Sequence, residues 1–177
     1  RLLERIIDAA IALSGAERGL IVWVTDPACP TSDLKEEMLD VRTARNMDRE
    51  SMAGGDSGGF SRSIALSAIQ AGAPITSLDA QGDRRFDAFQ SVHLLNLHSV
   101  LCLPLSVQGR PLGALYLDHR HRTHAFSEND VVILSAFGDQ AAIALANADW
   151  MDKLQRQSEA LELTRNEVEE LNRRPET

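Results

Sequence analysis

The stretch 98–119, HSVLCLPLSVQGRPLGALYLDH, constrains the fold more than any other part of this chain. Two long apolar runs flank Gln108-Gly109-Arg110, and apolar runs joined by such a short turn read as a central β-hairpin. GLIVWV (19–24) is short, β-branched and closed by Asp26-Pro27, as expected of a buried strand. MLDVRTA (38–44) alternates in polarity and reads as a half-exposed strand, and PITSL (74–78) as a further short one. Helical spacing appears in Leu3, Ile6, Ala10 and Leu13, which share a stripe that ends near Gly15. A second helix follows Ser61, its expected cap, carries Ile64, Leu66, Ala68 and Ile69, and stops at Gly72-Ala73-Pro74. Ser127, with Asp130 three positions on, opens a long last helix. The order α-β-β-α-β-loop-β-β-α neither alternates strictly nor segregates, so the expectation is an α+β fold with an antiparallel sheet covered by helices.

At 177 residues and 44% hydrophobic content, one domain with a substantial core is expected. A net charge of -8 leaves no basic footprint for phosphates, so direct nucleic-acid binding is not expected. Cys29 and Cys102 do not make a disulfide framework, which favours a cytoplasmic setting. No apolar stretch approaches the ~20 residues of a membrane span, and no signal-peptide pattern opens the chain, so no membrane partner is expected. Arg1 falls inside a helix pattern with no Met before it, so the chain reads as a piece of a longer protein.

Residues 55–59, GDSGG, match the loop around the nucleophilic serine of trypsin-like proteases. Those enzymes supply their triad in the order His, Asp, Ser, whereas all five histidines here follow Ser57. Ser57 is therefore read as part of a loop with four glycines between 47 and 60, and no catalytic residue is assigned.

The last helix continues beyond the domain proper. Trp150, Leu154, Gln157, Leu161, Thr164, Val168 and Leu171 fall on four- and three-residue steps, a coiled-coil seam of about three heptads with two polar positions. Helix neighbours Glu169 and Arg173, and Glu170 and Arg174, add pairs on its outer face. A parallel homodimer through the first and last helices, with Leu3 and Ile6 from the first, is the simplest way to bury such a stripe. The domains are accordingly placed at 1–150 and, for the linker helix, 151–177.

Four segments in fixed order then carry a family resemblance: Ser61-Arg62-Ser63-Ile64, Asp83-Arg84-Arg85-Phe86, the hairpin from Ser99 to Asp118, and Asp139-Gln140-Ala141-Ala142-Ile143-Ala144. Together they resemble a GAF domain, in the manner of the sensor modules of sigma-54-dependent activators or sensor kinases. The resemblance covers nearly residues 1–150. It implies a six-stranded antiparallel sheet with the first and last helices on one face and a small-molecule pocket on the other. The pocket would be walled by the middle helix and the loop from Leu78 to His98, with Leu78, Asp79, Phe86, Phe89, Val92, His93, Leu97, Ser99 and Leu101 as its expected lining. The loop's own composition agrees, since apolar residues in a long connection need something to pack on. Packing on the sheet makes it either a lid over a ligand or a plug that fills the space.

The ligand itself is not legible, and the cofactor stays unknown. The Asn-Lys-Phe-Asp-Glu signature of cyclic-nucleotide binders cannot be laid on this sequence, although the helix start at Ser61-Arg62 would offer amides and a cation to a phosphate. Bilin-binding relatives use a cysteine next to a histidine, and Val92-His93 lacks the thiol. His93 or His98 stands in the region where haem-binding relatives place their axial ligand. His119, His121 and His124 near Asp118 include zinc-type ligands, but two intervening arginines repel a cation, and the segment reads as a basic connection. Cys102 is expected to point inward and Cys29 outward. The resulting expectation is a non-enzymatic sensing and dimerisation module with an output domain elsewhere in the full-length protein. The alternatives are a structural dimeriser with a filled pocket, and a thiol-dependent enzyme on the same fold, for which two distant cysteines argue poorly.

Overall fold

The computed structural model describes residues 2–47 and 59–173, without side chains at 166–168 and 170–173. Ser57, most of the glycine-rich loop, the Val168 and Leu171 side chains, and the Glu170–Arg174 pair lie outside the described residues. The elements are α1 (Leu2–Ser14), β1 (Arg18–Val24), β2 (Leu39–Arg45), α2 (Arg62–Ala71), β3 (Ile75–Ser77), α3 (Gln90–Leu94), β4 (Ser99–Val107), β5 (Arg110–His119) and α4 (Glu128–Arg173). Single 3-10 turns stand at Thr31–Asp33, Glu36–Met38 and Arg84–Phe86.

Local chemistry sets the boundaries where the sequence marks them. Gly15 takes φ 65° and donates its N–H to the Ile11 carbonyl at 2.8 Å, closing α1. Ser61 caps α2 by accepting from the Ile64 N–H at 3.4 Å, and Gly72 ends that helix in the left-handed region. Before α4, Ser127 and Asp130 bond reciprocally: the Ser127 N–H donates to the Asp130 carboxylate at 2.7 Å, and the Asp130 N–H donates to Ser127 Oγ at 3.2 Å. The hairpin turns on Gln108 and Gly109, both at positive φ (52° and 77°), the pair of left-handed residues that a two-residue turn needs to match strand twist.

The five strands form one antiparallel sheet in the order β2-β1-β5-β4-β3. The expectation of six strands is thus corrected to five among the described residues. β3 has only three residues, and Asp83 just beyond it accepts from the Arg85 N–H and from Ser77 Oγ. Those bonds turn the chain into the Arg84–Phe86 turn and away from the sheet edge instead of along it.

Alternation along the strands builds two apolar layers. Leu20, Val22, Val24, Val100, Cys102, Ala114 and Tyr116 point to one face, where Ile64, Ala65, Ala68 and Ile69 of α2 and residues of the 78–98 segment cover them. Leu101, Leu103, Leu105, Leu115 and Leu117 are buried on the other face. There Leu117 meets Ile7 of α1 across Gly19, and Leu105 sits against Gly138 of α4. Gly113 in β5 is required by close approach, because a Cβ at this position would lie 1.9 Å from the Val22 carbonyl oxygen.

Contacts divide the chain into two compact units, Arg1–Ile143 and Ala144–Thr177. The first holds the sheet and its covering helices. The second is helical to Arg173. Contrary to the reading of the sequence, α4 contains one segment, Glu128–Arg165, long and apolar enough by length and composition alone to cross a membrane. Part of that apolar content is the buried side of a core helix, with Leu134, Ala141 and Ala142 inside the protein. Ile6, expected at a dimer face, is buried in the chain's own core, and Leu3 is half-buried, because their stripe is the one that packs α1 on the sheet.

Candidate functional site

The segment between β3 and β4 closes over the α2 face of the sheet. Phe86, Val92 and Leu97 are buried in the same cluster as Val100, Cys102 and Tyr116, and Phe89 packs against it half-buried. Phe86 and Phe89 stack with their centroids 5.6 Å apart, and the Arg85 guanidinium lies over Phe86 at 5.4 Å. Asp83 anchors the near end. Arg85 holds its carboxyl well below the ordinary carboxylate value, against the desolvation that opposes this, with Ser77 helping. The far end is tied by Ser99, whose hydroxyl faces the Leu78 and Arg122 carbonyls at 3.2 and 2.9 Å and accepts from the Ala125 N–H at 3.1 Å. Leu78 also accepts through its carbonyl from the His124 N–H at 2.7 Å.

The polar heart of this face is Tyr116. It is buried, packs edge-on to Phe60 at 5.6 Å, and its hydroxyl accepts from the Ser61 N–H at 3.4 Å. Burial, and then the Asp118 charge, push the phenol well above its ordinary value, so it stays protonated. One pair of residues along β5, Asp118 takes a two-pronged ion pair from Arg18 at 2.7 and 2.6 Å, both side chains buried. Burial raises the Asp118 carboxyl, and the Arg18 hydrogen bonds pull back part of that rise.

Beside this closed interior lies a cleft of about 310 Å³. Its walls are the start of α2 (Arg62, Ser63), Glu36 from the second 3-10 turn, and Ala88, Gln90, Ser91 and Leu94 from in and around α3. Ser63 Oγ donates to Glu36 at 2.6 Å. Arg62 stacks over Phe60 at 5.2 Å and donates to the Glu36 and Leu39 carbonyls. The Ser61 and Ser91 hydroxyls, 2.8 Å apart, join the α2 cap to α3. The cleft is thus polar, carries one charge of each sign, and borders the element that closes the interior.

Residues 1–145 match the GAF domain family. The chain belongs to that family. The photoproduct state of GAF3 from Slr1393 of Synechocystis has the same fold, with a TM-score of 0.66 at 10% identity, covering 87% of this chain and 97% of that one. GAF-B of DevS from Mycobacterium smegmatis gives 0.59 at 18% identity over 86% of this chain and 96% of that one. In sequence, 100 residues are 30% identical to hybrid signal transduction histidine kinase G of Dictyostelium discoideum, which is 56% of this chain and 3% of that protein's length. These findings support the coarse reading of this GAF domain as a sensory module of a signalling protein.

Within the GAF domain the expected lining residues separate. Phe86, Phe89, Val92 and Leu97 come together in the interior. The side chains of Leu78, Asp79 and His93 are exposed, and half-buried His98 faces the Asn96 carbonyl through Nδ1 at 3.2 Å. Leu101 pairs with Leu117 across the hairpin and is buried on the α1 face, away from α2. Ser99 shares that phase of β4 and serves the loops. None of the nine is among the residues that line the cleft. Sequence reasoning missed Glu36, Gln90 and Ser91, the Tyr116 hydroxyl and the Arg18–Asp118 pair. Arg18 opens apolar β1 and Asp118 stands near the end of β5, but nothing local in the sequence joins the two. The histidine-rich connection leans on Glu17: Arg120 binds it through three nitrogens at 2.9–3.0 Å, while His119 and His121 stand 3.4 and 3.7 Å from its oxygens.

Proposed function

We propose that this GAF domain senses a small polar molecule in the cleft between α2, Glu36 and α3, and acts as a homodimer on an output domain elsewhere in the full-length protein. The observation that carries the reading is the cleft itself. At about 310 Å³ it is at the small end for a metabolite site. Glu36 and Arg62 would meet opposite charges of one ligand, with Ser63, Gln90 and Ser91 as directional partners. A ligand engaging Ser91 competes with the Ser61–Ser91 contact. It therefore favours one packing of α3 over another, to the extent that its affinity for the two packings differs. The output is a kinase, as in the Dictyostelium relative, or a transcription regulator, and the setting is cytoplasmic. No catalysis is proposed; burial pushes the Cys102 thiol up, which disfavours a thiolate mechanism at that position.

A second reading, a structural dimeriser with a filled interior, is favoured by the complete burial of Val92 and Leu97 under the sheet's cover. Thermal shift measurements against a panel of small zwitterionic and anionic metabolites separate the two. Binding at about a hundred times Kd stabilises by about 2.7 kcal/mol, a shift of several degrees. The sensing reading expects at least one compound to give this shift with the wild-type chain and none with Ala88→Trp, which fills the cleft from an exposed position. A panel without effect, or one whose active compound is indifferent to Ala88→Trp, contradicts binding in the cleft.

A further inference from the structure

The coiled-coil spacing in α4 does not begin at Trp150. Counting back by three and four residues reaches Asn147 and then Ile143, and counting forward reaches Leu154, Gln157 and Leu161. With the four-residue steps running from d to a, Asn147, Leu154 and Leu161 take a positions, while Ile143, Trp150 and Gln157 take d. Ile143, Trp150, Leu154 and Leu161 are 45%, 69%, 60% and 71% exposed, and Asn147 is exposed as well.

The charges are sorted around this seam. From Ile143 to Thr164 no a or d position is charged, and Asp149, Asp152, Arg156, Glu159 and Glu162 all occupy outer b, c or f positions. The one flanking cation, Lys153, is drawn outward by its ion pair with Asp149 at 2.6 Å. A second copy of this helix would therefore meet no like charge along the seam. The area also suffices: at on the order of 100 Å² per apolar side chain, Ile143, Trp150, Met151, Leu154 and Leu161 give about 1,000 Å² for a pair of copies, the lower bound for a specific interface.

We propose that Asn147 fixes the pairing of two copies as parallel, two-stranded and in register. This rests on the homodimer put forward above. A polar amide in an apolar seam costs free energy unless it finds a partner. Asn147 finds one where it faces the same residue of a second copy across a two-fold axis. Parallel pairings shifted by one or two heptads set it against Leu154 or Leu161, and antiparallel ones set it against Ile143 or Trp150 unless they bring Gln157 or Thr164 opposite.

Sedimentation equilibrium of the full 177-residue chain tests this with wild type, Asn147→Leu and Asn147→Asp, each checked for folding by far-UV circular dichroism. Wild type is expected to be dimeric only. Asn147→Leu should associate about tenfold more tightly and add species larger than the dimer, and Asn147→Asp should associate about tenfold more weakly at neutral pH. A dimeric wild type whose two variants keep its stoichiometry and its Kd within about twofold overturns the role of Asn147 and leaves the dimer standing. A wild type that is monomeric at about 100 μM overturns the dimer, and this proposal with it.

Discussion

Asp83 shows how a single side chain decides where the chain goes. It starts the Arg84–Phe86 turn and binds back to Ser77 at the end of β3 and to Arg85, so it sets the position from which Phe86 enters the core. Its folded carboxyl gives up its proton more readily than the ordinary value of 3.8 allows. The stability it contributes is therefore complete above about pH 4 and is lost as the pH falls toward its lower folded value. Arg85 is largely exposed, which limits the contribution to at most about 1 kcal/mol. Urea unfolding between pH 5 and pH 2.5 should show wild type losing that much more stability than Asp83→Asn. Parallel losses would mean that the carboxylate is not anchoring the turn. The residues marked Ser61, Gly72, Ser127 and Asp130 were legible in the sequence because a cap acts within three or four positions. The Arg18–Asp118 pair was not, because its members are 100 residues apart and no local pattern joins them.

At the scale of elements, the hairpin was legible because its turn residues and its apolar runs agree. Its facing was not. Val100 through Leu105 is apolar in both phases, since both faces of β4 are covered, and alternation cannot tell which phase looks toward α2. Leu101 was therefore expected in the lining and stands on the opposite face. α3 was missed because five residues without a side-chain cap leave no periodic signal. The resemblance supplied a sixth strand that the residue pattern had not, and among the described residues the structure shows the five of the pattern. Strand spacing gives a sharp test. Gly113→Ala would put a methyl group on the Val22 carbonyl and force β1 and β5 apart, at a cost of about 2–3 kcal/mol in equilibrium urea unfolding. A loss below about 0.5 kcal/mol would show that the two strands approach less closely at this point.

At the scale of the whole molecule, the family and the α+β class were legible, because hydrophobic period and element order survive the loss of close sequence identity. The site was legible only as a region. Its cleft is assembled from positions 36, 62, 63, 88, 90, 91 and 94, mostly polar residues that have no shared pattern in the chain and meet only because α2 and α3 cover the same face. The apolar residues that drew attention in the 78–98 segment close the interior, and the polar ones beside them make the opening. Both the cleft and the exposed seam of α4 enter one account, in which a pair of GAF domains carries a small polar effector. Native mass spectrometry of the chain purified gently from its own host measures this directly. The account expects the mass of two chains plus a small added mass, and expects the added mass to vanish in Ala88→Trp while the pair remains. A single bare chain, or an added mass that Ala88→Trp leaves in place, would contradict it.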